Sequence, residues 1–202
     1  MPAFYGARDL GLKTEWRFGF IGYGVRAETT PGVIFVDGSG SIKPGVIDHH
    51  SGDCDEESSA EAVFRRRDLI YNHLLADWLR RYEIGGIQPG TIWKPALVTH
   101  AYPDWDSVVE CFLIQYLVEH GDFPPYAGAL VTYSRDVDQG RYSVRLDDPQ
   151  SIYAPHIAYL ALQNMTGNDE EALSSDSQLK RGLELLERIL NAIQGKRQAT
   201  GM

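Results

Sequence analysis

Cysteine, long apolar runs and positive charge are all scarce in this chain of 202 residues. Cys54 and Cys111 are the two cysteines, 57 positions apart and in no C-x-x-C pair. That excludes a disulfide framework and a zinc ribbon and leaves two reduced thiols in a cytoplasmic protein as the plain expectation. No apolar stretch approaches the roughly 18 residues of a membrane-crossing helix; the run from Cys111 to Val118 is far shorter. The opening M-P-A-F-Y-G-A-R-D-L has no basic segment followed by an apolar one, so no secretory signal is expected. Lysine and arginine total 19 against 28 aspartates and glutamates, a formal charge of −9. A chain this acidic does not grip duplex nucleic acid or an anionic membrane by bulk charge. A small anion stays within reach if a bound metal supplies positive charge locally.

Core-forming material is present in quantity. Hydrophobic residues make up 43% and charged residues 23%, which excludes disorder along the whole chain. At about 150 residues per domain, the length gives one domain plus a remainder. The expected division is an α/β domain over 1–165 and a helical C-terminal extension over 166–202. Patterning predicts strands over 16–21, 32–36, 46–47, 91–99 and 129–133, and helices over 59–82, 106–120, 152–163 and 178–194. Ser58 and Glu61 have the spacing of a capping box, and Gly121 suits a helix C-cap. Arg65, Arg66, Arg67, Arg80 and Arg81 read as solvated helix flanks. Strands alternating with helices imply an α/β fold with a mostly parallel sheet and helices on both faces. The last helix places Leu179, Leu183, Leu186, Leu190 and Ile193 at 4-3-4-3 spacing, about two heptads. That seam packs against its own domain or, on the sharper reading, makes a homodimer or partner contact.

Acidic and imidazole side chains gather at four strand ends. G-V-I-F-V-D-G-S-G ends at Asp37, and P-G-V-I-D-H-H-S-G-D brings Asp48, His49 and His50. P-A-L-V-T-H-A-Y-P-D-W-D-S brings His100, Asp104 and Asp106, and A-L-V-T-Y-S-R-D-V-D-Q-G-R-Y brings Asp136 and Asp138. Ligands of open α/β sheets bind beyond the carboxyl ends of strands. Carboxylates with imidazoles, and no thiolate, suit a borderline divalent ion such as Mn²⁺. So many carboxylates in one cleft repel each other unless cations intervene. G-F-I-G-Y-G near the N-terminus lacks the order of a dinucleotide-binding fingerprint. His73, His120 and His156 stand alone and read as structural.

D-H-H after a buried apolar strand, together with T-H-x-x-P-D-x-D-S on a strand-to-helix turn, resembles the DHH phosphoesterase superfamily. Its members include RecJ-type exonucleases, nano-RNases, cyclic-dinucleotide phosphodiesterases, exopolyphosphatases and family II inorganic pyrophosphatases. V-D-G at Asp37 is similar to the family's second motif, and D-Q-G-R-Y from Asp138 to the D-T-G-R-F of nano-RNase-like members. The matching segments span about residues 32–145. The resemblance implies two ions, Mn²⁺ or Mg²⁺. His100 and Asp104 would ligate one, and Asp106, His49 and Asp138 the other, with Asp37 bridging. His50 would touch the scissile phosphate or act as acid, and Asp48 would orient the histidine pair. Asp136 is the alternative to Asp138, since residues two apart on a strand share a face. Arg141, and more weakly Lys43, are candidate phosphate contacts. Trp105 either stacks on a base or wedges the turn.

Two departures stand out. The family places H-x-x-x-D-x-D first, whereas here it follows D-H-H, so a rearranged sheet would have to reunite the strand ends. The family's substrate-binding domain with a G-G-G-H-type motif has no counterpart. The resulting expectation is a metal-dependent phosphoesterase acting on a small phosphorylated substrate, foremost a nucleotide or short single-stranded oligonucleotide. The alternatives are a pyrophosphatase or exopolyphosphatase, and a non-catalytic metal- or nucleotide-binding module working with a partner.

Overall fold

The computed structural model describes residues 6–52, 54–83, 90–141, 155, 158–159 and 174–200. Its strands are β1 (Lys13–Thr14), β2 (Arg17–Ile21), β3 (Val33–Val36), β4 (Ile42–Lys43), β5 (Val46–Ile47), β6 (Ile92–Trp93) and β7 (Ala96–His100). The described helices are α1 (Ser59–Arg65), α2 (Arg67–Glu83), α3 (Trp105–His120), α4 (Ala127–Asp138) and α5 (Ser175–Thr200). The fold is α/β with a mostly parallel sheet, as the alternation of patterns implies. The main sheet runs β2-β7-β3-β5-β4, with β4 the antiparallel edge, and β1 and β6 form a separate parallel pair.

The sequence pattern explains most of these elements. In β3, Ile34 and Val36 are wholly buried while Val33 and Phe35 are half-buried, and β7 alternates in the same way from Ala96 to Thr99. In these two strands one face is thus fully covered and the other partly. The expected strand over 91–99 is interrupted at Lys94 and Pro95, so β6 pairs with β1 while β7 enters the main sheet. Pro95 has no N–H to give to a ladder, and its carbonyl accepts from the N–H of Arg17 at 3.0 Å.

The helix expected over 59–82 is two helices meeting at Arg66. The Arg66 guanidinium turns back to grip both oxygens of Glu56, at 3.0 and 3.3 Å. Arg65 pairs with Glu61 and Arg67 with Asp122, so these flanking arginines are tied to acids. Ser58 caps α1 by accepting from Glu61 N–H at 3.2 Å. The return bond from Glu61 goes to Glu57 N–H at 3.0 Å, one residue before the usual position.

One expectation is overturned. The apolar run over 129–133 is part of α4, not a strand. Alternation does not decide such a short run, but Ala127, Val131, Ser134 and Val137 are the buried positions of α4, and their spacing is helical. The helix expected over 152–163 lies outside the described residues, except that 155, 158 and 159 are helical.

At the centre lies α3, buried on nearly every side over its first ten residues. Gly121 ends it in the left-handed conformation, φ 76°, as expected of a C-cap. On α5, Leu179, Leu183 and Leu186 are buried, while Leu190 is partly buried and Ile193 is exposed. The first half of the leucine seam therefore packs on its own chain. Gly182 permits that approach, because a Cβ there would lie 2.4 Å from Val108 Cγ2 and 2.8 Å from Tyr159 Cε2.

Candidate metal centre

Strands β3, β5 and β7 are parallel neighbours, so the residues that follow them meet at one end of the sheet. β3 delivers Asp37, and β5 delivers Asp48, His49 and His50. β7 ends on His100, and the turn into α3 carries Asp104. Motifs far apart in sequence are brought together because β7 inserts beside β3.

Asp37 occupies the middle and is 3% exposed. Its φ of 45° is left-handed, the one such non-glycine residue among those described, and costs about 1 kcal/mol or more. The loop that begins there crosses the end of β5 through Gly38 and Gly40, both at positive φ. The two carboxylate oxygens of Asp37 serve different neighbours. Oδ1 lies 3.3 Å from Nδ1 of His50 and 3.7 Å from Nδ1 of His49. Oδ2 lies 3.2 Å from Nε2 of His100, which is 3.7 Å from Oδ2 of Asp104. Oδ1 is buried yet accepts no hydrogen bond. Two groups of side chains could thus hold a metal ion: Asp37, Asp48, His49 and His50, and Asp37, His100 and Asp104. Asp37 belongs to both.

Buried hydrogen bonds set these side chains. Asp48, 1% exposed, accepts from His50 N–H at 2.9 Å, faces His50 Nδ1 at 3.0 Å, and accepts from Gly40 N–H across the loop. It orients His50 and fastens the loop that carries Asp37. His49 Nδ1 lies 2.8 Å from Ser59 Oγ, and its Nε2 lies 3.8 Å from Asp138 Oδ2. Asp104 caps α3 by accepting from Ser107 N–H at 2.9 Å, which leaves its other oxygen toward His100. Beneath His100, hydroxyl contacts run from Nε2 to Ser107 at 2.9 Å and on to Thr99 at 3.1 Å. Thr99 donates to the fully buried Glu110 at 3.3 Å.

Asp106 belongs to neither group. Its carboxylate accepts from Ser59 N–H at 2.7 Å, Ala60 N–H at 3.3 Å and Ser134 Oγ at 2.9 Å. These bonds tie together α3, α4 and the N-terminus of α1. Asp138 ends α4, where it faces His49; Asp136 pairs instead with Arg135 at 3.8 Å. Because α4 is a helix, the shared-face argument for Asp136 and Asp138 does not hold. Arg141 is held by both oxygens of Glu57, at 2.9 and 2.5 Å. Lys43 pairs with Glu28 at 3.0 Å, on an edge strand that runs away from the cleft. Trp105 is 1% exposed between Tyr133 and Tyr159, so it wedges the turn and offers no face to a base.

Electrostatics reflect the crowding of acids. Burial alone would raise the Asp37 pKa, but His100 and His50 hold it well below the ordinary range. Contact with Asp37, opposed by burial and helped by Asp48, pushes His50 up to about 9. Burial would lower His100, yet Asp104 and Asp37 raise it to about 9. Burial, with the neighbouring carboxylates, pushes Asp106 and Glu110 well above the usual range. Asp138 is raised by burial and by Asp104 and Asp37, against the pull of His49. Cations added beside these imidazoles would relieve the repulsion among the carboxylates.

Sequence reasoning missed Ser59, Thr99, Ser107, Glu110 and Tyr23. A glutamate one turn beyond Asp106, inside the apolar stripe of α3, was a usable signal. Nothing local marked Tyr23, whose ring stacks on His100 with centroids 4.8 Å apart. Comparison with family models, with curated proteins and with solved structures finds no match for this chain.

Proposed function

We propose that the chain is a divalent-metal-dependent phosphoesterase hydrolysing a small phosphate ester or anhydride. The observation that carries this reading is Asp37. One buried carboxylate offers an oxygen to each of two imidazole–carboxylate groups, and the oxygen facing His49 and His50 accepts no hydrogen bond. That is the shape of a bridging ligand. The nitrogen and oxygen donors suit Mn²⁺ or Mg²⁺, and the resemblance to DHH phosphoesterases supports the same choice. When bound, a pair of such ions lowers the pKa of a water and neutralises phosphoryl oxygens.

The chain's own residues supply the rest. Asp37 would bridge, with His100 and Asp104 on one side and His49 and Asp138 on the other. Asp106 holds the N-terminus of α1, and with it Ser59, in place beside His49. His50 is half-exposed at the mouth and tied to Asp48. It is placed to meet a phosphoryl oxygen as a cation, or to give a proton to a leaving group. The strained Asp37 backbone and the glycine loop fix the bridging carboxylate before any ligand arrives.

The test is hydrolysis of bis-p-nitrophenyl phosphate with Mn²⁺ by the wild type and by His49→Ala and Asp104→Ala. Each variant removes a donor from a different side of Asp37. Both are expected to lose at least about a hundredfold in kcat/KM, in line with loss of a metal ligand. Equal activity in all three proteins would sink the proposal.

A further inference from the structure

The rim of the cleft carries aromatic surface that the chemistry above does not use. Three of the five exposed large hydrophobic residues among those described lie there: Tyr23 at 63%, Val25 at 48% and Tyr102 at 75%. Exposed apolar side chains gathered at the edge of a polar cleft mark contact with a ligand better than scattered ones do. β2 is the edge strand beside β7, and its register pairs Ile21 with His100. The chain leaving β2 therefore overhangs His100. A tight turn follows, with Val25 N–H donating to the Gly22 carbonyl at 3.3 Å and Gly24 at φ 77°. That turn lays the Tyr23 ring on the His100 imidazole, 22° from parallel. Tyr102 follows two residues after the same histidine, its backbone N–H donating to His100 Nδ1 at 3.3 Å.

We propose that Tyr23 is a specificity-determining residue, a platform on which a planar aromatic ring flanking the substrate phosphate stacks. The inference rests on the phosphoesterase reading for the position of the phosphate, but it can fail separately. One face of Tyr23 is supported by His100, which fixes the ring without occupying the solvent side. A ring held there sits beside the group formed by Asp37, His100 and Asp104. Stacking is indifferent to the identity of the base, because every base has a π-face. It gives no advantage to pyrophosphate or polyphosphate, which have no ring. Trp105 cannot play this part, being buried in the core.

The experiment measures calorimetric binding of adenosine 5′-monophosphate and of ribose 5-phosphate to the Mn²⁺-loaded protein. Both carry the same sugar and phosphate, and only one carries a ring. The wild type is expected to bind the nucleotide about tenfold more tightly, within the range measured for removal of one stacking aromatic. Tyr23→Ala should bring the two ligands to parity. Tyr23→Phe should keep the preference, since the ring and not the hydroxyl is the platform. Equal binding of the two ligands by the wild type, a preference that survives in Tyr23→Ala, or binding of neither ligand would overturn the proposal. A ring preference lost in Tyr23→Ala, with no hydrolysis of any phosphate ester by the wild type, would support Tyr23 while overturning the phosphoesterase reading.

Discussion

Asp37 concentrates the physical tensions of the molecule. It is a buried carboxylate in a left-handed backbone conformation, with three imidazoles around it and one oxygen that accepts no hydrogen bond. Without a metal, proton uptake by the histidines offsets the negative charge. His50 and His100 both rise from 6.5 to about 9 in the folded chain. The stability they contribute is full below pH 6.5 and is lost as pH climbs through about 9. Asp37 has the opposite sign. Its pKa falls from 3.8, so its contribution is present above that value and is lost in stronger acid. The metal-free protein should therefore melt at a higher temperature near about pH 6 than near about pH 9.5. Metal binding should follow the reverse trend and tighten over the same interval, because each ligating imidazole must give up its proton. Thermal melts in the presence of EDTA check the first statement. A melting temperature that rises across that interval would contradict it.

The elements show what fixes the site. α1 starts where it does because Asp106, reaching from α3, accepts from Ser59 N–H and Ala60 N–H while Ser134 of α4 donates to the same carboxylate. Asp106→Leu keeps the branched shape but leaves the Ser59 and Ala60 N–H groups without an acceptor. In the metal-free protein it should cost about 2 kcal/mol, the scale of a lost cap or of a buried group left unsatisfied. Urea denaturation measures this, and an unchanged midpoint would show that the carboxylate does not hold α1. The example also shows what the sequence could and could not tell. The spacing of His100, Asp104 and Asp106 marked a strand-to-helix turn. It could not separate an oxygen that faces an imidazole from one that caps a helix across the chain, because the partners of Asp106 lie 46 and 47 positions earlier. β3, β5 and α3 were legible because burial dictates their composition over several residues. α4 was not, because its run of Leu130, Val131, Thr132 and Tyr133 satisfies strand preference locally while its buried positions follow a helix. At the break, Arg66 pairs with Glu56, a contact that the hydrophobic period does not reveal.

At the scale of the whole molecule, one arrangement serves both the core and the candidate site. A central apolar helix, α3, packs among α1, α4 and α5 and presents its N-terminus beside the ends of three parallel strands. The net charge of −9 matters chiefly where it is concentrated, because acids and imidazoles converge on one cleft while Arg65, Arg66, Arg67 and Arg141 are paired with other acids. On the proposed reading, positive charge for a phosphate would come from bound cations and from His50. The convergence itself was legible only as a possibility, since the order of the motifs along the chain does not give the order of the strands. The most direct measurement of this account is the stoichiometry of Mn²⁺ bound to the purified protein, by elemental analysis and electron paramagnetic resonance, beside Asp37→Ala. The account predicts two ions per chain, magnetically coupled through a shared ligand, with coupling abolished and at least one ion lost in the variant. A wild type that binds no Mn²⁺, or an Asp37→Ala variant that binds it unchanged, would contradict the central claim.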